Sequence, residues 1–249
     1  MATFITVLGG KGGNAKSTTS FLLGWYLTYC TDFEAQWVDL DGRTATLSKV
    51  YDNRKQEGYA LPEMAFSALV DAPSEDAQEI ADAFERFVQQ RFNDNVVFII
   101  DTPPDLTAPA SRVAVSYSQI LLLPAYLSLP VVYEINGLAE LLVDAFREQI
   151  VRQERYVALL PVGKSTGAVI SSNEMASEEI LSRINPLVRR LEPIPRSETI
   201  PFCMMAGIYP TEWTSNRYRA EKATQLHQAI RNSFTPIVEI IENLKVTQS

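Results

Sequence analysis

The run Gly9-Gly10-Lys11-Gly12-Gly13-Asn14-Ala15-Lys16-Ser17-Thr18 constrains this chain more than any other part of it. It follows the β-rich stretch Thr3–Leu8 and precedes a helical pattern that opens at Ser17 and runs to Cys30. A phosphate-binding loop needs glycines so that backbone N–H groups can converge on an anion, a lysine for the outer phosphates and a hydroxyl for magnesium. Gly10, Gly12, Gly13, Lys16 and Ser17 supply these parts, and Asn14 and Ala15 complete the loop. The helix start adds its dipole and unpaired N–H groups, and Thr18 is placed to reach an inner phosphate. The competing reading is a glycine-rich turn with an incidental lysine. It gives no reason for a Lys-Ser pair at this offset behind a strand.

Apolar, β-rich runs recur at Thr3–Leu8, Gln36–Leu40, Val96–Asp101, Gln119–Pro124, Tyr156–Val162 and Leu191–Pro195, with longer helical patterns between them. Hydrophobicity is continuous rather than alternating in Val96–Ile100 and Ile120–Leu123, as in strands buried on both faces. The expected fold is therefore α/β: a doubly wound, mostly parallel sheet with helices on both faces, formed by a single domain over residues 1–249. Glu75–Phe92 reads as a helix with Ile80, Phe84, Phe87, Val88 and Phe92 on one face. Asp52–Tyr59 and Ile200–Pro210 read as loops.

Two acidic motifs close predicted strands. Asp39-Leu40-Asp41 ends the second and Asp101-Thr102-Pro103-Pro104 the third, which puts carboxylates at the carboxyl edge where ligands bind in such sheets. An apolar strand ending in an acid suits Asp101 for a magnesium-bound water. For Asp39 and Asp41, turn-forming aspartates at a strand end are the plain alternative.

Composition removes several classes. One histidine, His227, is too few for a serine triad or a His/Cys zinc site. Cys30 and Cys203 match no iron–sulfur ligand spacing and read as unpaired thiols. The apolar runs fall far short of the roughly 18 residues a spanning helix needs. With Met1 leading directly into a strand and no basic leader, a cytoplasmic protein is expected. A net charge of −8 argues against a protein that coats nucleic acid along its whole surface. Charge is uneven, however: Arg183 to Arg231 holds eight Lys/Arg against four Glu.

The spacing Lys11-Gly12-Gly13-x-x-Lys16-Ser17-Thr18 resembles the deviant Walker A motif of the ParA/MinD family of P-loop ATPases. The resemblance spans about residues 2 to 231, with specific motifs in the first 104. It implies that Lys11 reaches across a nucleotide-sandwich dimer to the partner's phosphates, and that Lys11, Lys16 and Asp41 are catalytic, Asp41 placing the attacking water. It also implies magnesium held by Ser17 and Asp101 with Asp39 assisting its shell, switch segments at Gly42–Thr46 and Thr102–Pro104, and Pro195 and Arg196 near the adenine. Tyr133-Glu134-Ile135-Asn136-Gly137-Leu138 is similar to the family's interface helix. The chain departs from the family's Val-Gly before the lysine, having Asn14-Ala15. If that position needs positive φ, alanine costs about 1 kcal/mol.

The implied cofactors are ATP and Mg2+, and the implied partners are a second copy, a stimulating adaptor protein and non-specific DNA. Arg189, Arg190, Arg217 and Arg219 are the candidate DNA contacts, with nucleoid association as the consequence. The expected function is a slow, ATP-driven dimerisation switch for plasmid or chromosome partition or for intracellular positioning. Two alternatives stay open: an accessory ATPase of a transfer or secretion system that signals to a protein, and a ligase or reductase on the same scaffold. Membrane binding is not expected, because the tail Phe234–Ser249 carries Lys245 as its one basic residue and looks like a helix docked on the core.

Overall fold

A computed structural model describes residues 2–9, 15–41, 46–56, 58, 76–91, 95–165, 171–212 and 217–247. Within these residues seven strands, β1 (Thr3–Val7), β2 (Glu34–Asp39), β3 (Val96–Asp101), β4 (Ile120–Tyr126), β5 (Tyr156–Lys164), β6 (Val188–Arg190) and β7 (Ile194–Pro195), form one sheet. Its order is β2-β3-β1-β4-β5-β6, β7 pairs with β5, and every pairing is parallel. Among the described residues eight α-helices connect or follow the strands: α1 (Lys16–Cys30), α2 (Thr46–Gln56), α3 (Ala77–Arg91), α4 (Pro109–Tyr117), α5 (Leu129–Val151), α6 (Ser172–Ser182), α7 (Thr199–Ala206) and α8 (Arg217–Thr247).

Alternate strand residues feed opposite layers, because successive side chains leave a strand on opposite faces. Ile5, Val7, Trp37, Ile99 and Leu122 pack with side chains of α1, α2, α7 and α8. Leu121, Leu123 and Leu159 pack with α5 and α6, and Phe4, Val38, Phe98 and Ile100 with α3 and α4. The doubly wound arrangement expected from the continuous apolar runs is therefore the one observed. The tail is docked as its pattern implied, with Ile237, Ile240, Ile241 and Leu244 buried in the first layer. Ile80, Phe84 and Phe87 of α3 are buried as well, whereas Phe92 lies outside the described residues.

Three sequence expectations need correction. Of the strand expected over Leu191–Pro195 only Ile194–Pro195 (β7) is strand, and a separate piece, β6, precedes it on the same side of β5. Pro193 stands between them and has no N–H to give to a ladder. Asp52–Gln56 is the second half of α2 rather than a loop, because Leu47, Val50 and Arg54 recur at helical spacing and are all buried. Most of Ile200–Pro210 is α7, with Cys203 buried in it. Pro201 falls in the first turn, where no helical donor is lost. Gly207 ends α7 at φ 64°, its N–H and that of Ile208 closing on the carbonyls of Met204 and Cys203. A Cβ at Gly207 would lie 2.4 Å from the backbone N of Arg54, so α7 reaches α2 closely because this residue is glycine.

One contact fixes the strand that carries Asp39 against the helix that follows the phosphate loop. The buried Trp37 indole lies on Gly24 of α1, where a Cβ would sit 1.9 Å from Nε1, and Nε1 donates to the carbonyl of Ser20 at 2.9 Å. Packing and a satisfied indole donor together hold β2 to α1.

Candidate nucleotide-binding site

Gly10, Lys11, Gly12, Gly13 and Asn14 lie outside the described residues, as do Gly42–Ala45 of the first proposed switch. The remaining loop residue, Ala15, sits at φ 60°, ψ 21° as the residue capping α1, and its carbonyl accepts the first helical bond from Thr19 at 2.8 Å. The departure from the family's glycine thus falls where the backbone is left-handed. Ala15→Gly removes a Cβ clash of about 1 kcal/mol. A rise of about 2–4 °C in Tm is expected, and thermal unfolding of the two proteins side by side checks it; an unchanged or lower Tm rejects strain at Ala15.

α1 begins at Lys16, so Lys16 and Ser17 of its first turn and Ser20 at the start of the next face the carboxyl ends of the central strands. Ser17 Oγ donates to Asp101 Oδ2 at 2.5 Å and Ser20 Oγ to Asp101 Oδ1 at 3.3 Å. Asp101 is fully buried at the end of β3. Its neighbour Thr102 is pinned by Oγ1 donating to the Val7 carbonyl at 2.8 Å, which ties the start of the second proposed switch to the strand before the phosphate loop. Asp39 ends β2 in register with Asp101 and is also fully buried. Its Oδ1 accepts from the Asp41 N–H at 3.0 Å, and its Oδ2 from the N–H and Oγ of Ser48, each at 3.1 Å.

Burial sets the electrostatics. It pushes Asp101 up to about 7, with Asp39 adding to the rise and Ser17, Lys16 and Ser20 opposing it. Asp39 is raised too, chiefly by burial, against the pull of its three donors. Lys16 moves the other way: burial lowers it, opposed by the carboxylates of Asp101, Asp41 and Glu134. A lysine with a nearly buried side chain amid carboxylates, next to a hydroxyl bonded to a carboxylate, has the parts that grip a phosphate and its magnesium. Ser17 and Asp101 supply the hard oxygen donors this ion takes. Among the described residues no group of three or more His, Cys, Asp or Glu is arranged to hold a metal alone. Magnesium bound through one or two protein oxygens and substrate phosphates needs no such cage.

The structure thus brings Lys16, Ser17, Asp39, Asp41 and Asp101 together, with Thr18 half-buried beside them in α1. Pro195 and Arg196 stand apart, at β7 beside the end of β5, where the Arg196 N–H donates to the Lys164 carbonyl at 2.8 Å. Of the proposed DNA contacts, Arg189 pairs with Glu239 at 3.0 Å and Arg190 with Glu178. Arg217 and Arg219 open α8, and their side chains lie outside the described residues. Sequence reasoning missed Ser20, Ser48 and, as a charge facing Lys16, Glu134. The i, i+3 spacing from Ser17 was a signal for Ser20. Nothing local pointed Ser48 at Asp39, nine residues away in sequence.

Comparison with known proteins gives the same fold. The chain superposes on apo McdA of Cyanothece with a TM-score of 0.70 at 17% identity, covering 94% of this chain and 98% of that one. A plasmid partition protein of Borrelia burgdorferi bound to AMPPNP matches with a TM-score of 0.64 at 15% identity, covering 92% and 98%. The cell division ATPase MinD of Pyrococcus furiosus matches with a TM-score of 0.62 at 18% identity, covering 93% and 99%. No curated protein matches by sequence. The family described as ATPase MipZ matches residues 3–171, which include α1 and all three acids of the site. The chain belongs to the MipZ ATPase family, among the ParA/MinD-type P-loop ATPases.

Proposed function

We propose that this chain is a Mg-ATP-dependent switch of one P-loop domain that binds and slowly hydrolyses ATP and, when loaded, pairs face to face with a second copy to position or partition a cargo. The observation that carries this reading is the convergence of Lys16, Ser17 and Asp101 behind the loop at the end of β1. Lys16 holds the outer phosphates, Ser17 and Asp101 hold the magnesium, and Asp39 assists its shell. Magnesium supplies neutralisation of charge on the phosphoryl oxygens when bound. Asp41 orients the attacking water, and Lys11 enters the site of the second copy to stabilise developing negative charge. Pro195 and Arg196 border the base. Support comes from relatives of the same fold: a McdA variant is solved with ATP, the Borrelia partition protein with AMPPNP, and MinD of Aquifex aeolicus with MinC.

Two outputs follow from the family's range, DNA binding and signalling to a protein partner. Arg189 and Arg190 already spend their charge on Glu239 and Glu178. That observation favours the protein-partner reading and leaves Arg217 and Arg219 as the DNA candidates. The test is oligomeric state and ATP turnover measured together, on wild type and Lys11→Ala, with and without magnesium and ATP. Dimers that need ATP and are lost in Lys11→Ala are the expected result. A monomer that turns over ATP regardless of Lys11 overturns the switch.

A further inference from the structure

Asp39 carries more donors than an assistant to a metal shell requires, and their arrangement has a consequence for the site. An ionised carboxylate offers about four acceptor positions. Among the described residues, Ser48 fills both positions of Oδ2, through its N–H and its Oγ, and the Asp41 N–H fills one of Oδ1. One position, on Oδ1, is left among the described residues. The carboxylate is fully buried and in strand register with Asp101, itself bonded to Ser17.

A carboxylate receiving the N–H of a first-turn residue also looks like a helix cap, since Ser48 is the third residue of α2. Two features go beyond capping. A capping side chain normally comes from the residue next to the helix, whereas Asp39 is the last residue of β2, with residues 40–45 between it and α2. The other end of α2 is also fixed independently, by the two-pronged Arg54–Glu212 pair at 2.7 Å on each prong and by the close approach of Gly207. Ser48 is therefore presented to Asp39 by a helix that is anchored elsewhere.

We propose that Ser48 is the positioning residue of Asp39, holding its carboxylate so that the remaining Oδ1 position accepts one hydrogen bond from a magnesium-bound water. This rests on the nucleotide-site reading above. Removing the hydroxyl leaves Oδ2 with the Ser48 N–H as its one remaining bond among the described residues and loosens the carboxylate, so the loss falls on the metal-dependent part of nucleotide affinity. Outer-shell partners that orient a metal's ligands are worth about 10–100-fold in metal affinity, and Ser48, which acts through such a partner, is expected at the lower end.

The experiment measures ADP affinity in EDTA and in magnesium, with Mn2+ binding to the ADP complex followed by electron paramagnetic resonance, for wild type, Ser48→Ala, Ser48→Thr and Lys16→Ala. Ser48→Ala is expected to cut the gain in affinity that the metal confers by about tenfold and to weaken Mn2+ binding alike. Its metal-free affinity stays within about twofold, and Ser48→Thr, which keeps a hydroxyl, restores the gain. A Ser48→Ala protein with the wild-type metal gain, or one whose affinity falls equally with and without metal, overturns the assignment while leaving the nucleotide site intact. Wild-type protein that binds no ADP, or binds it as Lys16→Ala does, overturns the nucleotide-site reading and the role of Ser48 with it.

Discussion

Lys16→Ala is expected to lower Mg-ATP affinity by about 10²- to 10³-fold, the scale of truncating one partner of a buried, charge-assisted contact. Lys16 opens α1 with its side chain nearly buried, and its ammonium lies in the field of Asp101, Asp41 and Glu134. Burial has already removed the water that would compete for it, so nothing replaces the ammonium when it is deleted. Loss of this cation also removes a charge that opposes the rise of Asp101 and raises that carboxyl further, which opposes magnesium binding by it. The readout is thermal. A nucleotide at 100 times its Kd stabilises the protein it binds by about 2.7 kcal/mol, or roughly 5–10 °C in a chain of this size. Wild type is expected to show that shift and Lys16→Ala to lose it. A variant that keeps the full shift places the nucleotide elsewhere.

Arg54→Ala is expected to cost about 3–5 kcal/mol, against a total stability for a typical domain of about 5–15 kcal/mol. The Arg54 side chain is fully buried. It donates to both oxygens of Glu212 at 2.7 Å and to the carbonyl of Gly207 at 3.0 Å, and it lies 4.9 Å from the centre of the Tyr209 ring. Burial works against the charge on Arg54, and bonds to Glu212 and Tyr29 outweigh it, so the guanidinium holds its proton more tightly than usual. Deleting the arginine leaves a mostly buried carboxylate with the Tyr209 N–H but without its cation, and takes the guanidinium donor from the Gly207 carbonyl; the destabilisation comes from that uncompensated charge. Thermal unfolding should show a fall of roughly 6–20 °C. The double variant Arg54→Met, Glu212→Gln removes both charges and is expected to recover part of the loss, since the penalty belongs to the broken pair. A single variant within 2 °C of wild type contradicts this account of what holds α2 to α7.

The site and the clamp differ in how they are written in the chain. The phosphate loop is local: its glycines, lysine and serine lie within nine residues, and the α1 start they imply is where the structure begins the helix, one residue early. Asp39 and Asp101 were legible because each closes a continuous apolar run, and a buried parallel strand delivers its last residue to the carboxyl edge of the sheet. The left-handed backbone at Ala15 was anticipated from a glycine expected at that place. Arg54 was not legible. It sits in Asn53-Arg54-Lys55-Gln56, which has the composition of a solvated loop, and its partner Glu212 is 158 positions away. Its role as the third member of a buried helical stripe emerges only when the guanidinium is counted as satisfied. The break between β6 and β7 was signalled by Pro193, but β pairing with β5 on either side of it is a property of the assembled sheet.

By itself the sequence determined the layered α/β fold, the phosphate loop and the strand-end acids, because each depends on periodicity or on spacing within about ten residues. Tertiary structure alone decided which groups meet. It set Asp39 beside Asp101 through strand register, turned Ser48 onto Asp39, closed Arg54 on Glu212, and occupied Arg189 and Arg190 with Glu239 and Glu178. The reason is physical: a charge or hydroxyl carries no periodic signal of its own, and its worth is fixed by burial and by partners that only the packed chain brings within hydrogen-bonding reach.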